Sequence, residues 1–200
     1  MFPLFETIGV QDGVISKLDL HQKRMQLSYA QYFDAKCPFQ LKKLIVVPDD
    51  FISSTVKIRF LYSKENFEIQ FSHYQAKKIN SLQLVFNDSI DYSLKYTDRL
   101  MIDTLLRQKR DADDILIIKN GLISDTSIAN IIFFDGRNWI TPASPLLKGV
   151  CRSFLLQHNK IIEKEIHWKE IFTFEGFAMM NALNCDFQNR ILPVSRISGL

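Results

Sequence analysis

The chain has 200 residues, 46% of them hydrophobic, with 25 basic residues against 22 acidic ones and a net charge of +3. That is enough apolar material for one sizeable domain or two small ones. The near-balanced charge, with basic residues interleaved among acids, excludes a strong field for nucleic acid or a membrane surface.

In chain order, residues 4–10 read as a strand, Gln11-Asp12-Gly13 as a hairpin turn and Val14-Ile15-Ser16 as the returning strand. Residues 18–33 carry Leu20, Arg24, Leu27 and Tyr32 at helical intervals, with Asp19 as the expected N-cap. Two alternating runs, 56–62 and 67–74, turn at Ser63-Lys64-Glu65-Asn66 and complete a small α+β domain over residues 1–80, with 72–82 as the linker region. Residues 81–200 are expected to form a larger C-terminal domain. In it, 99–110 sets Ile102, Leu105 and Leu106 on one helical face. Two hairpins follow, 115–119 with 122–124 across Asn120-Gly121, and 130–134 with 139–141 across Asp135-Gly136. Then 150–158 reads as helix, 161–166 as extended, 168–172 as a short helix, and 177–181 and 191–197 as closing strands.

Several functions are excluded by absence of pattern. Cys37, Cys151 and Cys185 are odd in number and widely spaced, so neither a disulfide framework nor a Cys-x-x-Cys metal site is expected. The four histidines have no metal-ligand spacing, and there is no G-x-S-x-G, P-loop or G-x-G-x-x-G motif. Residues 1–6 lack the basic and apolar regions of a leader, and no apolar run approaches membrane-spanning length, so a reducing cytoplasm is the expected setting.

The residues that could carry chemistry each have a plain alternative. Lys95, at a strand-to-helix boundary, is either an exposed lysine or a cleft amine that desolvation makes nucleophilic towards an aldehyde. Asp125, beside Thr126 and Ser127, is a turn residue or a buried acid facing a protonated ring nitrogen. Gly149 is a turn glycine, or it leads a helix whose first N–H groups, at Val150 and Cys151, bind an anion. In the second case Cys151 serves as a backbone donor and packing residue, and not as a nucleophile. Arg24 is a helix-surface charge or a bidentate phosphate clamp, with His21 beside it as a structural hydrogen-bonder. An amine, an acid and a helix N-terminus are the fittings that pyridoxal 5'-phosphate needs.

In order and spacing these elements resemble the fold-type IV, or class IV aminotransferase, family of pyridoxal-phosphate enzymes. Phe5-Glu6-Thr7-Ile8, Asp12-Gly13 and His21-Gln22-Lys23-Arg24 are similar to its F-E-T-[IL], D-G and H-x-x-R opening. Gly121 through Asn130 with Ile131-Ile132-Phe133 resembles its G-x-[IV]-[ST]-E-x-x-x-x-N-[IL]-F block, and Thr141-Pro142 and Leu146 through Arg152 its T-P and L-x-G-[IV]-x-R blocks. Asn181-Ala182-Leu183 and Pro193-Val194 resemble the closing N-[AS]-[LM] and P-V elements. The resemblance implies an α+β, two-domain, D-amino-acid aminotransferase-like fold, with residues 81–200 binding the cofactor. It also implies that Lys95 is the Schiff-base lysine and catalyst, and that Arg24, Asp125, Asn130, Gly149, Val150, Cys151, Asn181 and Ala182 join it in holding pyridoxal phosphate. Arg99 is the implied substrate-carboxylate residue, with Arg59 and Arg107 as alternatives. Three departures stand out: Asp125 replaces the usual Glu, Ala182 removes a hydroxyl that some members offer the phosphate, and the chain is shorter than typical members before Lys95.

Two reactions fit this resemblance. The motif Lys95-Tyr96-Thr97-Asp98-Arg99 and the Asn-Ala-Leu element are closer to aminodeoxychorismate lyase, which releases pyruvate from 4-amino-4-deoxychorismate to give 4-aminobenzoate in the folate pathway. The alternative is an aminotransferase acting on branched-chain or D-amino acids, and a third reading is a non-catalytic paralogue. The family also implies a small-molecule amino substrate and a homodimer, without nucleic acid, membrane or metal.

Overall fold

In the computed structural model, which describes residues 1–52 and 54–199, contacts divide the chain into one unit of residues 1–76 with 94–98 and a second of residues 77–93 with 99 onward. The first unit is a four-stranded antiparallel sheet backed by a helix. Its elements are β1 (Leu4–Gln11), β2 (Val14–Ile15), α1 (Leu18–Phe33), α2 (Leu41–Leu44), β3 (Thr55–Tyr62) and β4 (Phe67–His73). The sheet order is β2-β1-β3-β4. Asp12 and Gly13 both have positive φ, 48° and 77°, which is the backbone a tight two-residue hairpin needs.

Alternation decides the faces. Glu6, Ile8 and Val10 of β1 pair with Phe60, Ile58 and Val56 of β3, and these apolar residues form a core with Met25 and Tyr29 of α1. The buried face of α1 is His21, Met25, Ser28 and Tyr29, following the helical period. Leu27 and Tyr32, which the sequence pattern assigned to the helical stripe, are exposed instead. The N-cap also differs from expectation. Lys17, in the left-handed region, occupies it, and Asp19 sits in the first turn, where it complements the helix dipole. Residues 94–98 run alongside β1, with Phe5 N–H donating to the Lys95 carbonyl at 3.1 Å and Thr97 N–H to the Pro3 carbonyl at 2.9 Å.

The second unit is built on β5 (Leu82–Phe86), α3 (Leu100–Leu106), β6 (Asp114–Lys119), β7 (Leu122–Thr126), β8 (Asn130–Phe134), β9 (Trp139–Pro142), α4 (Val150–Gln157), β10 (Ile162–Lys164), β11 (Gly176–Met180), β12 (Leu192–Pro193) and β13 (Ile197–Ser198). The main path runs β10-β9-β8-β7-β6-β5-β13, with β11 also on β8 and β12 on β11. Both expected hairpins are present. Asn120 and Gly121, at φ 52° and 76°, make the first turn. Strand β5 was not expected: its run of buried residues has no alternation, and it gains its place by pairing in parallel with β6. The single strand expected over 191–197 is broken into β12, a 3-10 turn and β13, because Pro193 has no N–H to continue a ladder.

Strands β9 and β10 are parallel, and α4 is their crossover. The start of α4 therefore lies past the carboxyl end of β9, where open α/β sheets place anionic ligands. Packing of α4 against β11 brings Cys151 beside Cys185. Contrary to the expectation from their count, these two cysteines form a disulfide, with Cα atoms 5.6 Å apart, and Cys37 is left free. An odd number of cysteines excludes complete pairing but not one pair. Among the described residues no helix is long and apolar enough to cross a membrane, and no cluster of residues fit to hold a metal ion occurs.

Candidate active site

On the first unit the site residues are arranged by β1. Phe5 and Glu6, consecutive on the strand, point to opposite faces. The Lys95 ammonium and the Arg59 guanidinium both lie over the Phe5 ring, with Nζ 4.7 Å and Cζ 4.9 Å from its centre, each within cation–π range. On the other face the Glu6 carboxylate is fully buried. It accepts from Arg24 Nε at 2.9 Å and from one terminal nitrogen of the same guanidinium. His21 Nδ1 lies 2.6 Å from Glu6 Oε2.

Burial by itself would raise the Glu6 pKa, but the adjacent Arg24 charge and the His21 bond outweigh it and hold it at about 2. His21 is pushed below its ordinary value, first by burial, against the pull of Glu6, with the Arg24 and Lys95 charges assisting. It is therefore a neutral imidazole whose Nδ1–H donates to an ionised carboxylate. Arg24 is thus a fixed group, held in place by Glu6 through Nε and one terminal nitrogen, with the other terminal nitrogen not used by Glu6. Sequence reasoning gave His21 this structural role but missed Glu6. The signal was present: a glutamate on the strand parity otherwise taken by Leu4, Ile8 and Val10.

On the second unit Asp125, near the end of β7, is also buried. Asn130 Nδ2 donates to its Oδ1 at 2.7 Å and Leu147 N–H to its Oδ2 at 2.9 Å. Asn130 Nδ2 reaches the Leu147 carbonyl as well, at 2.9 Å. Burial raises the Asp125 pKa to about 6, against the Leu147 and Asn130 bonds and the Arg152 charge. A raised pKa marks a buried carboxylate short of cationic partners, so a protonated ring nitrogen would find an acceptor there. Arg152 itself is buried, donating to the Pro142 carbonyl at 2.8 Å and pairing with Glu163.

Gly149 is the N-cap of α4, and no side chain caps the helix. A Cβ at this position would collide with Asn130 Oδ1, so only glycine lets the turn close on Asn130. Val150, Cys151 and Arg152 are 2%, 0% and 3% exposed. A buried helix start whose first N–H groups have no capping side chain needs an acceptor from elsewhere, and a phosphate supplies one. The other expected phosphate residues behave differently. Asn181 Oδ1 accepts from Leu183 N–H and Asn184 N–H, both at 3.0 Å, so its side chain closes its own turn. Ala182, in that turn, brings only backbone groups. Arg99 donates to the Ser127 carbonyl at 2.9 Å and lies 3.7 Å from Asp103.

The first unit by itself presents a fixed arginine and an aromatic-backed amine, and the second by itself a buried acid and an uncapped glycine-led helix start; each is a kind of group that enzymes built on a phosphate-bearing aldehyde cofactor use. The chain belongs to the amino-transferase class IV family, which matches residues 3–197; that family is pyridoxal-phosphate-dependent. An uncharacterised protein of Haemophilus influenzae is 41% identical over 186 residues, covering 92% of this chain and 99% of the relative. The crystal structure of a candidate 4-amino-4-deoxychorismate lyase from Haemophilus somnus 129PT is 36% identical, with a TM-score of 0.88 over 92% of this chain and 97% of that one. A hypothetical aminotransferase from Mycobacterium tuberculosis in a pyridoxal-phosphate-bound form shares the fold at 16% identity, with a TM-score of 0.78 over 99% of this chain and 82% of that one. The mixed helix-and-sheet architecture is therefore that of the fold-type IV enzymes, as expected. The short length is shared with both Haemophilus proteins.

Proposed function

We propose that this protein is a pyridoxal-phosphate-dependent lyase that releases pyruvate from 4-amino-4-deoxychorismate and leaves 4-aminobenzoate. The observation that carries the reading is the 36% identity to the candidate lyase, spread over 92% of this chain and 97% of that one, together with the Lys95 to Arg99 and Asn181 to Leu183 motifs. Bound pyridoxal phosphate supplies an aldehyde to hold the substrate amine and a protonated ring that accepts electron density from the bond being broken.

The roles of the chain's own residues follow from their chemistry. Lys95 would hold the cofactor aldehyde through its amine, and as a free amine it would be the base that moves the substrate's proton. Asp125 would keep the ring nitrogen protonated, and that cation would favour the ionised carboxylate that burial alone disfavours. Gly149, Val150 and Cys151 offer backbone N–H groups to the phosphate, and Arg24 adds a charged donor held in place by Glu6. Asn130 holds Asp125 and the 147–149 turn in register. Asn181 shapes a second turn, through which Ala182 offers backbone. For the substrate carboxylate, Arg59 is favoured over Arg99, since Arg59 lies over the same ring as Lys95 and Arg99 is engaged with Ser127 and Asp103. A homodimer in the cytoplasm completes the reading.

The family itself favours a second reading, a class IV aminotransferase acting on branched-chain or D-amino acids. The first test is the visible absorption of the protein with pyridoxal phosphate beside a Lys95→Ala control. A band in the wild type alone, followed by pyruvate release from 4-amino-4-deoxychorismate, is the expected result. Glutamate formed from an amino acid and 2-oxoglutarate, with no pyruvate release, would replace the lyase by the aminotransferase. Identical spectra for the two proteins would overturn both and leave a non-catalytic paralogue.

A further inference from the structure

We infer that the Cys151–Cys185 disulfide is a reversible thiol–disulfide exchange site that sets how tightly the start of α4 holds a phosphate, a step that rests on the cofactor reading above. Three observations converge on it. The bond joins the second residue of α4 to the residue that follows the 181–184 turn, next to two backbone segments assigned to the phosphate. Its two residues are unequally exposed, since Cys151 is fully buried and Cys185 only partly so. Finally, Cys151 stands at a helix N-terminus, whose N–H groups favour a leaving thiolate against the apolar burial of its sulfur.

Attack therefore runs in one direction. A thiolate of a dithiol reductant bonds to the accessible Cys185 sulfur, the Cys151–Cys185 bond breaks, and Cys151 leaves as the thiolate. The second thiol of the reductant then displaces Cys185, so the reductant departs as a disulfide and the protein keeps both electrons as two thiols. Reduction has two consequences for an anion. The 181–184 turn is no longer tied to α4, and any thiolate formed at Cys151 competes for the N–H groups the phosphate would use. Both weaken phosphate binding, and a disulfide oxidant reverses both.

The test begins with thiol counting. Unfolded, unreduced protein should alkylate once, at Cys37, and three times after reduction. Pyridoxal phosphate is then titrated, by its visible band, into oxidised protein and into protein reduced with dithiothreitol and desalted under nitrogen. The half-saturation concentration should rise about tenfold on reduction and fall again on reoxidation. Cys185→Ser should bind as the reduced protein does and ignore reductant, and Cys37→Ser should keep the full response. Three alkylated thiols before reduction, or equal half-saturation in the two states, would overturn the inference alone. No binding in either state would overturn the cofactor reading along with it.

Discussion

Glu6 and Asp125 are both buried carboxylates, one on each unit, and they are held in opposite ways. Glu6 has a guanidinium and an imidazole against it, and ends well below the ordinary carboxylate range, at about 2. Asp125 is bonded by the Asn130 amide and by backbone N–H groups, with the Arg152 charge further off; burial outweighs them and it ends well above that range, at about 6. The contrast separates a carboxylate that fixes another group from one that waits for a partner. Glu6 is saturated and serves to orient Arg24. Asp125 has no ion-pair partner against it among the described residues, and its hydrogen bonds and the Arg152 charge do not offset burial; perturbed groups of that kind concentrate where chemistry is done.

The comparison is easiest to break from the Glu6 side. Arg24→Ala strands a buried carboxylate, and should destabilise the protein by about 3–5 kcal/mol, read as a lower urea midpoint. The loss should shrink below pH 4.5 as Glu6 takes up a proton. An unchanged midpoint at neutral pH would show that Glu6 does not depend on Arg24.

The pH dependences should have opposite signs. The Glu6 pKa is lowered on folding, so its stabilisation is present above pH 4.5 and lost as pH falls towards 2, on the order of 3 kcal/mol in all. The Asp125 pKa is raised, so its contribution is greatest below about pH 4 and is lost as pH rises through 6, on the order of 2–3 kcal/mol. Urea midpoints of wild type and Asp125→Asn from pH 3 to 8 check the second. The variant should gain on the wild type as pH rises across that window, and parallel curves would refute the raised value. Bound pyridoxal phosphate should flatten the wild-type dependence, because a ring proton then neutralises the acid.

Asn130→Ala should cost about 1–2 kcal/mol by leaving the Leu147 carbonyl and one Asp125 oxygen without their donor. It should also weaken pyridoxal phosphate binding by more than the stability change implies, since the acid and the 147–149 turn lose their common brace. Equal loss of stability and affinity would reduce Asn130 to a packing role. The smallest effect belongs to the helix face that the sequence misassigned: Leu27→Lys, on an exposed position, should change stability by about 0.5 kcal/mol or less. A larger loss would restore Leu27 to a buried stripe.

Periodicity and turn chemistry made most of the elements legible. The hairpins at Gly13 and Asn120-Gly121, the span of α1 and the start of α4 after Gly149 are local events, decided by φ preferences and by patterns within a few residues. The order of the amine, the acid and the glycine turn was likewise legible, because chain order needs no coordinates, and it pointed to the family that residues 3–197 proved to match. The sequence did not reveal β5, the break at Pro193 or the disulfide. A parallel strand is defined by a distant partner, and Cys151 meets Cys185 across 34 residues only when α4 packs on β11. Nor did it reveal that residues 94–98 lie against β1, which sets Lys95 over Phe5 beside Arg59. Which acid is saturated and which is left short of a cation was also decided by the tertiary structure. Charge, burial and hydrogen bonding compete over a few ångströms, and only folding fixes which groups share that space.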